Sequence, residues 1–165
     1  MTVLPDVLTR GLDIVFCGTA AGTVSARRGA YYAGPGNAFW PTLFKVGLTP
    51  RLFTPEEYPK VIEHGLGLTD LAKTVYGQDH TLRAGNFDRA RLRENILEYR
   101  PCILAFTSKR AAKEFLGCSV EYGLQHERIG KTRLFVLPSP SGAARRYWDE
   151  QPWSELARLR AVKQP

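Results

Sequence analysis

The order of apolar and polar positions divides the chain into short, wholly apolar runs separated by amphipathic ones. "LDIVFCG" (12–18) is a compact apolar run closed by Gly18, the pattern of a strand covered on both faces. "PCILAFT" (101–107) repeats it, and "TRLFVLPSPSG" (132–142) is a third such run that passes into a Pro/Ser/Gly loop. Leu66 to Leu68, inside "GLGLTDLAK" (65–73), fits a further short strand. Between these runs the period lengthens. "NAFWPTLFKVG" (37–47) predicts a helix with Asn37 as N-cap and Gly47 past its end. "TPEEYPKVIEHG" (54–65) has Thr54 and Glu57 at capping-box spacing and Pro55 in the first position, while Pro59 weakens the interior. "NFDRARLRENILEYR" (86–100) puts Leu92, Ile96 and Tyr99 on one side. "SKRAAKEFLG" (108–117) is a helix closed by Gly117, and "PWSELARLRAVK" (152–163) is the last predicted helix. "IGKTRLF" (129–135) predicts a hairpin turn. It is no phosphate loop, since Gln125 stands where that loop needs Gly and strand residues follow where it needs helix.

Strands separated by helices pair in parallel and are covered on both faces. The expectation is a single domain over residues 1–165, a three-layer α/β/α fold with a central, mainly parallel sheet. Parallel strands bring their carboxyl-end loops to one edge, where open α/β proteins bind ligands. "GTAAG" (18–22), "PSPSGAAR" (138–145) and the end of the 65–73 stretch should therefore meet at one crevice.

Composition narrows the class. The chain has 165 residues, 44% of them hydrophobic and 24% charged, the balance of an ordinary soluble domain with a core of its own. No apolar run approaches the roughly 20 residues needed to span a bilayer. "MTVLPDVLTRGLD" has no basic leader region, long apolar stretch or cleavage site, so a cytoplasmic monomer without membrane contact is expected. Cys17, Cys102 and Cys118 form no C-x-x-C pair and stand near no His at ligand spacing. Disulfides, zinc and iron–sulfur clusters are set aside, and buried reduced thiols are expected. His64, His80 and His126 are isolated and read as surface or structural; no metal or cofactor is expected.

Net charge is +7, unevenly spread: residues 1–106 hold 12 basic and 10 acidic side chains, and residues 107–165 hold 11 and 6. A basic C-terminal third suits a polyanion such as nucleic acid.

The informative segment is "VFCGTAAGTVSARRGAYYAGPGNAFW" (15–40). Gly18 and Gly22 allow backbone N–H groups to approach a planar ligand closely. Tyr31 and Tyr32 offer flat faces for stacking a base, and Arg27 and Arg28 can meet phosphate. Three elements in order, "GTAAG" after an apolar strand, P-x-N-x-F-W within "AYYAGPGNAFW", and "LPSPSGAAR" after the last strand, resemble the uracil-DNA glycosylase superfamily from Leu12 to about Arg160. The chain is most similar to the mismatch-specific uracil/thymine branch, the second family. The resemblance implies a single α/β/α domain that flips a damaged base from duplex DNA and hydrolyses its glycosidic bond without metal or cofactor. The implied partner is double-stranded DNA containing uracil or mismatches, with single-stranded DNA left open.

In that branch the first motif usually reads G-I-N-P-G, and its Asn holds the attacking water. Ala20 occupies that position here. Neither the Glu and cluster cysteines of the four-cysteine branch nor the second-motif His of the highly active first family is present. A superfamily branch with Ala in the first motif uses an Asp elsewhere, and Asp70 is the best candidate, because it follows an apolar stretch aimed at the same edge as both loops. The competing reading makes Asp70 the cap of a helix starting near Leu71. Asp79 and Asp88 sit in loop-like or helix-opening contexts, and Asp13 starts a strand at the wrong end.

The resemblance also implies that Gly18, Thr19, Ala20, Ser25 and Tyr32 form the base pocket, with Tyr32 as the stacking aromatic. Gly142, Ala143 and Ala144 match the wedge that enters the stack. Ser139, Ser141, Arg145 and Arg146 join Arg27 and Arg28 as DNA contacts. Two rival readings stay open at this level: a non-catalytic reader of deaminated DNA, and a nucleotide-binding α/β protein of unrelated chemistry.

Overall fold

Residues Ile14–Gly18 (β1) are completely buried, and their side chains alternate between two cores, as the two-residue period of a strand requires. Ile14 and Phe16 face one side with Leu66, Leu68, Ile103, Ala105 and Phe135. Val15 and Cys17 face the other with Leu104, Phe106, Leu134 and Val136. The computed structural model describes residues 1–161.

One five-stranded sheet runs in the order β2-β1-β3-β5-β4, with β2 at Leu66–Asp70, β3 at Ile103–Phe106, β4 at Gly123–Ile129 and β5 at Thr132–Val136. All neighbouring pairs are parallel except β4 with β5, which form the hairpin expected at Gly130. The first core is roofed by helix α2 (Phe39–Lys45), helix α5 (Gln151–Ala161) and a 3₁₀ segment at Pro55–His64. Helices α3 (Arg89–Tyr99) and α4 (Lys109–Leu116) cover the second. The three layers predicted from the pattern are present.

Local departures have local causes. Asn37 accepts the Phe39 N–H at 2.9 Å, and the helix begins at Phe39, one residue later than an Asn37 cap predicts. Pro59 supplies no N–H for an α-helical bond, and the segment around it is 3₁₀ throughout, still opened by the Thr54–Glu57 box. Asp88 caps α3, accepting from the Arg91 N–H at 3.1 Å, so the helix begins at Arg89, inside the predicted 86–100 stretch. Thr23–Arg28 form a short helix, α1, inside the segment read as loop. The predicted end of the last helix, residues 162–163, lies outside the described residues. Only Cys17 is a buried thiol. Cys102 and Cys118 are exposed, because each stands just outside its strand or helix, where no second layer covers it.

Candidate active site

The last rung of the β1–β2 ladder pairs Gly18 with Asp70. Both stand at the carboxyl edge of the sheet, as the topology argument requires. A Cβ on Gly18 would come 2.6 Å from the Asp70 carboxylate, so only glycine leaves room for it. Asp70 ends β2, and no helix follows it, which removes the helix-cap reading. The residue is 4% exposed, and burial pushes its carboxyl up to about 7. Lys73 and Arg91 oppose that rise and Asp6 reinforces it.

Tyr32 reaches the same point from the other side. Its hydroxyl lies 3.0 Å from Thr107 Oγ1 and 3.5 Å from the same Gly18 Cβ position. One face of its ring stacks on Phe39 at 3.9 Å and 15°, which fixes the plane. Tyr32 is half-buried, and its backbone has φ 54, a left-handed conformation unusual for an aromatic residue. Burial, followed by the facing Asp70, pushes both the Tyr31 and Tyr32 hydroxyls up, so they act as neutral donors.

Behind Asp70 lies a charged cluster that sequence reasoning missed. Asp6 accepts from Thr69 Oγ1 at 2.7 Å, Lys73 Nζ at 2.9 Å and Arg91 Nη1 at 3.0 Å. Arg91 Nη2 also donates to the Asp70 carbonyl at 2.6 Å, and Lys73 to the Tyr31 hydroxyl at 3.1 Å. The N-terminal segment is delivered here by an antiparallel bridge between Val7 and Leu68, along the free edge of β2.

The remaining pocket residues divide by what their polar atoms already do. Thr19 donates to Asp79 Oδ1 at 2.7 Å, and Arg110 holds the Asp79 carbonyl at 2.8 Å, so the first loop is braced by an acid that looked unremarkable in sequence. The N–H groups of Thr19 and Ala20 meet no acceptor among the described residues. Ser25 is buried and accepts the Ala33 N–H at 2.9 Å, which shapes the loop that carries Tyr32.

The second loop docks on the first. A Cβ on Gly142 would strike the Pro35 carbonyl at 2.7 Å, and the Arg145 guanidinium packs against Gly36, whose φ of 73 suits glycine. Ala38 N–H donates to the Pro140 carbonyl at 2.8 Å. Ser139 and Ser141 accept the N–H groups of Ser141 and Ala143, shaping the turn. Ala143 is exposed at its tip and Ala144 is half-buried beside it. Arg27, Arg145 and Arg146 are exposed and form no ion pair among the described residues. Arg28 differs from them: Glu56 holds it through two hydrogen bonds, at 2.9 and 2.8 Å, and it also donates to the Ala33 carbonyl.

Two concavities lie elsewhere. One, of about 590 Å³, opens on Asp6, Lys73 and Arg91, and one of about 640 Å³ lies at the opposite end of the strands among Arg100, Arg128, Lys131 and Arg133. Neither contains Gly18 or Tyr32. The site is placed by the converging strand ends and by the chemistry of the residues they carry. Among the described residues no cluster of His, Cys, Asp or Glu is arranged to hold a metal ion.

The sequence matches the model of the uracil DNA glycosylase superfamily over residues 5–163. Among solved structures, the solution NMR structure of a candidate uracil DNA glycosylase from Methanosarcina acetivorans matches with a TM-score of 0.64. It shares 24% sequence identity, and the match covers 96% of each chain. That likeness is one of fold.

Proposed function

This chain belongs to the uracil DNA glycosylase superfamily, and from that premise we propose that it removes uracil from DNA by flipping the nucleotide out of the stack and hydrolysing its N-glycosidic bond, with Asp70 as the catalytic carboxylate. The observation that carries this reading is the buried Asp70 carboxylate over Gly18, at the mouth of the first loop and beside Tyr32.

The flipped base lies against Tyr32, whose plane Phe39 fixes. As the bond from C1′ to the base lengthens, the sugar gains positive charge and the base negative charge. Ionised Asp70 stabilises the first and accepts a proton from the water whose oxygen bonds to C1′. The N–H groups of Thr19 and Ala20 stabilise the departing base anion, which takes up a proton on release. The products are free uracil and an abasic site. Ala20 offers no side-chain amide to hold water, which leaves that task to Asp70. Lys73, the lysine near this centre, is engaged by Asp6 and the Tyr31 hydroxyl and holds no recognisable Schiff-base position, so the enzyme is read as monofunctional.

Arg27, Arg145 and Arg146 meet phosphates, and Ala143 enters the vacated stack. Alanine fills that gap poorly, so the hold on the opposite strand is weak, and the expected range runs from U·G mismatches to wider duplex contexts. The test is alkali cleavage of labelled duplexes carrying U·G, U·A and T·G pairs, with single-stranded uracil alongside. Cleavage at uracil supports the reading, and uncleaved substrates that are nevertheless bound would make the protein a reader of deaminated DNA.

A further inference from the structure

A buried carboxylate that serves as a base must avoid two fates. With a cation bonded directly to it, it ionises readily but binds protons too weakly to be an effective base. With no cation nearby, it stays protonated at neutral pH. Two cations stand close to Asp70, yet neither is bonded to its carboxylate. Arg91 sends one nitrogen to the Asp70 backbone carbonyl and another to Asp6. Lys73 is turned to Asp6 and to the Tyr31 hydroxyl. Both cations therefore converge on the one acid that also accepts from Thr69, the neighbour of Asp70.

We propose that Asp6 is a positioning residue of this site: it clamps Lys73 and Arg91 beside Asp70 and keeps both cations off the catalytic carboxylate. The inference rests on the reading of Asp70 as that carboxylate. The clamp is partly shielded from solvent, with the Lys73, Asp6 and Arg91 side chains 9%, 24% and 27% exposed, so its fields are screened less than those of a fully exposed pair. The groups facing Asp70 from the surrounding elements are Asp6 on the N-terminal segment, Cys17 on β1, Tyr31 and Tyr32 on the loop before α2, Lys73 after β2, Arg91 on α3 and Thr107 after β3. Burial keeps the cysteine and the tyrosines neutral near pH 7, which leaves Asp6, Lys73 and Arg91 as the charges that act on Asp70. Arg91 Nε is buried without a partner, a cost consistent with an arginine oriented by its two outer nitrogens.

A clamp predicts opposite signs for its two halves. Removing the Asp6 charge exposes Asp70 to two uncompensated cations and favours ionisation, whereas removing Lys73 disfavours it. The experiment is single-turnover uracil excision from pH 5 to 9 by the wild type, Asp6→Asn and Lys73→Gln, each checked for folding by circular dichroism. The midpoint of the rising rate should move to lower pH in Asp6→Asn and to higher pH in Lys73→Gln, by about half a unit or more each. Coincident midpoints, or shifts of the same sign, overturn the clamp. Should Asp6→Asn not fold, Asp6→Ser takes its place, with the same shift to lower pH expected and its absence fatal. Titration of the Asp70 carboxyl by ¹³C NMR, assigned by difference from Asp70→Asn, needs no turnover. NMR midpoints that move as expected in a protein releasing no uracil would sink the glycosylase reading and leave the clamp standing. NMR midpoints that coincide would sink the clamp whatever the activity.

Discussion

The Asp70 carboxylate occupies the space that a side chain on Gly18 would take, 2.6 Å from the nearest possible Cβ. The two residues are partners at the last rung of a parallel ladder, and nothing in the Gly18 backbone demands glycine, since its φ is not positive. Its requirement is one of space. Gly18→Ala should therefore keep the sheet, displace the carboxylate and lower uracil excision by about 10-fold or more, given how steeply catalysis depends on placement. Excision within twofold of wild type, in a folded variant, would show that the carboxylate need not stand there.

Asp70→Asn keeps size and removes charge. Loss of a general base or an electrostatic partner typically costs about 10²–10⁴-fold in rate, and binding to uracil duplexes should survive on Tyr32 and the arginines. Because the carboxyl is pushed up to about 7 and acts only when ionised, wild-type excision should rise with pH through that value and level off above it. Single-turnover rates across pH check both statements, and a flat profile argues for another base.

The same burial carries a stability consequence of definite sign. The folded carboxyl titrates near 7 and the unfolded one near 3.8, so the fold disfavours the ionised form. The penalty is absent below the lower value, grows between the two and is complete above the upper one. Asp70→Asn should thus stabilise the protein at pH 8, by something on the order of 1–4 kcal/mol, and have little effect at pH 4. Urea unfolding at the two pH values measures it, and a variant less stable than wild type at pH 8 contradicts it.

Both faces of β1 and β3 are buried and their sequences are apolar throughout, as is β5 from Leu134 to Val136, and these strands were legible for that reason. The edge strand β4 escaped because Leu124 to Arg128 are exposed or half-exposed and show no strand pattern. Helix α1 escaped because six residues among glycines carry no apolar stripe. Asp70 was legible because the end of a parallel strand has a known destination. Its supporting charges were not. Asp6 meets Thr69 across 63 positions and Arg91 across 85, brought there by the pairing of Val7 with Leu68 and by the Val3 N–H on the Lys73 carbonyl. Arg28 shows the opposite case, a residue whose neighbourhood in sequence suggested phosphate and whose partner in space is Glu56.

That difference among the arginines can be measured. Arg145 and Arg146 are exposed and have no acid partner among the described residues, so replacing both with Ala should weaken binding to damaged and undamaged duplexes alike and flatten the dependence on salt, because fewer counterions are released. Arg28→Ala should leave the salt slope nearly unchanged and cost at most about 1 kcal/mol of stability, since the Arg28–Glu56 pair is surface-exposed. An Arg28→Ala slope as shallow as that of the double variant would make Arg28 a phosphate contact in spite of Glu56.

The last expectation concerns the tip of the second loop. Ala143 is exposed beyond a turn that Ser141 holds by accepting its N–H at 3.2 Å, and the loop rests on the Gly36–Gly142 contact. An apolar wedge offsets part of the cost of unstacking a base, and a methyl group covers little of the gap. Ala143→Leu adds apolar surface at a position with open solvent around it, so the core stays as it is. The larger wedge should hold the emptied duplex longer and slow release of the abasic product, while the single-turnover rate changes little. Multiple-turnover and single-turnover measurements on the same U·G duplex separate the two steps. Faster product release by the leucine variant would mean that residue 143 does not enter the stack.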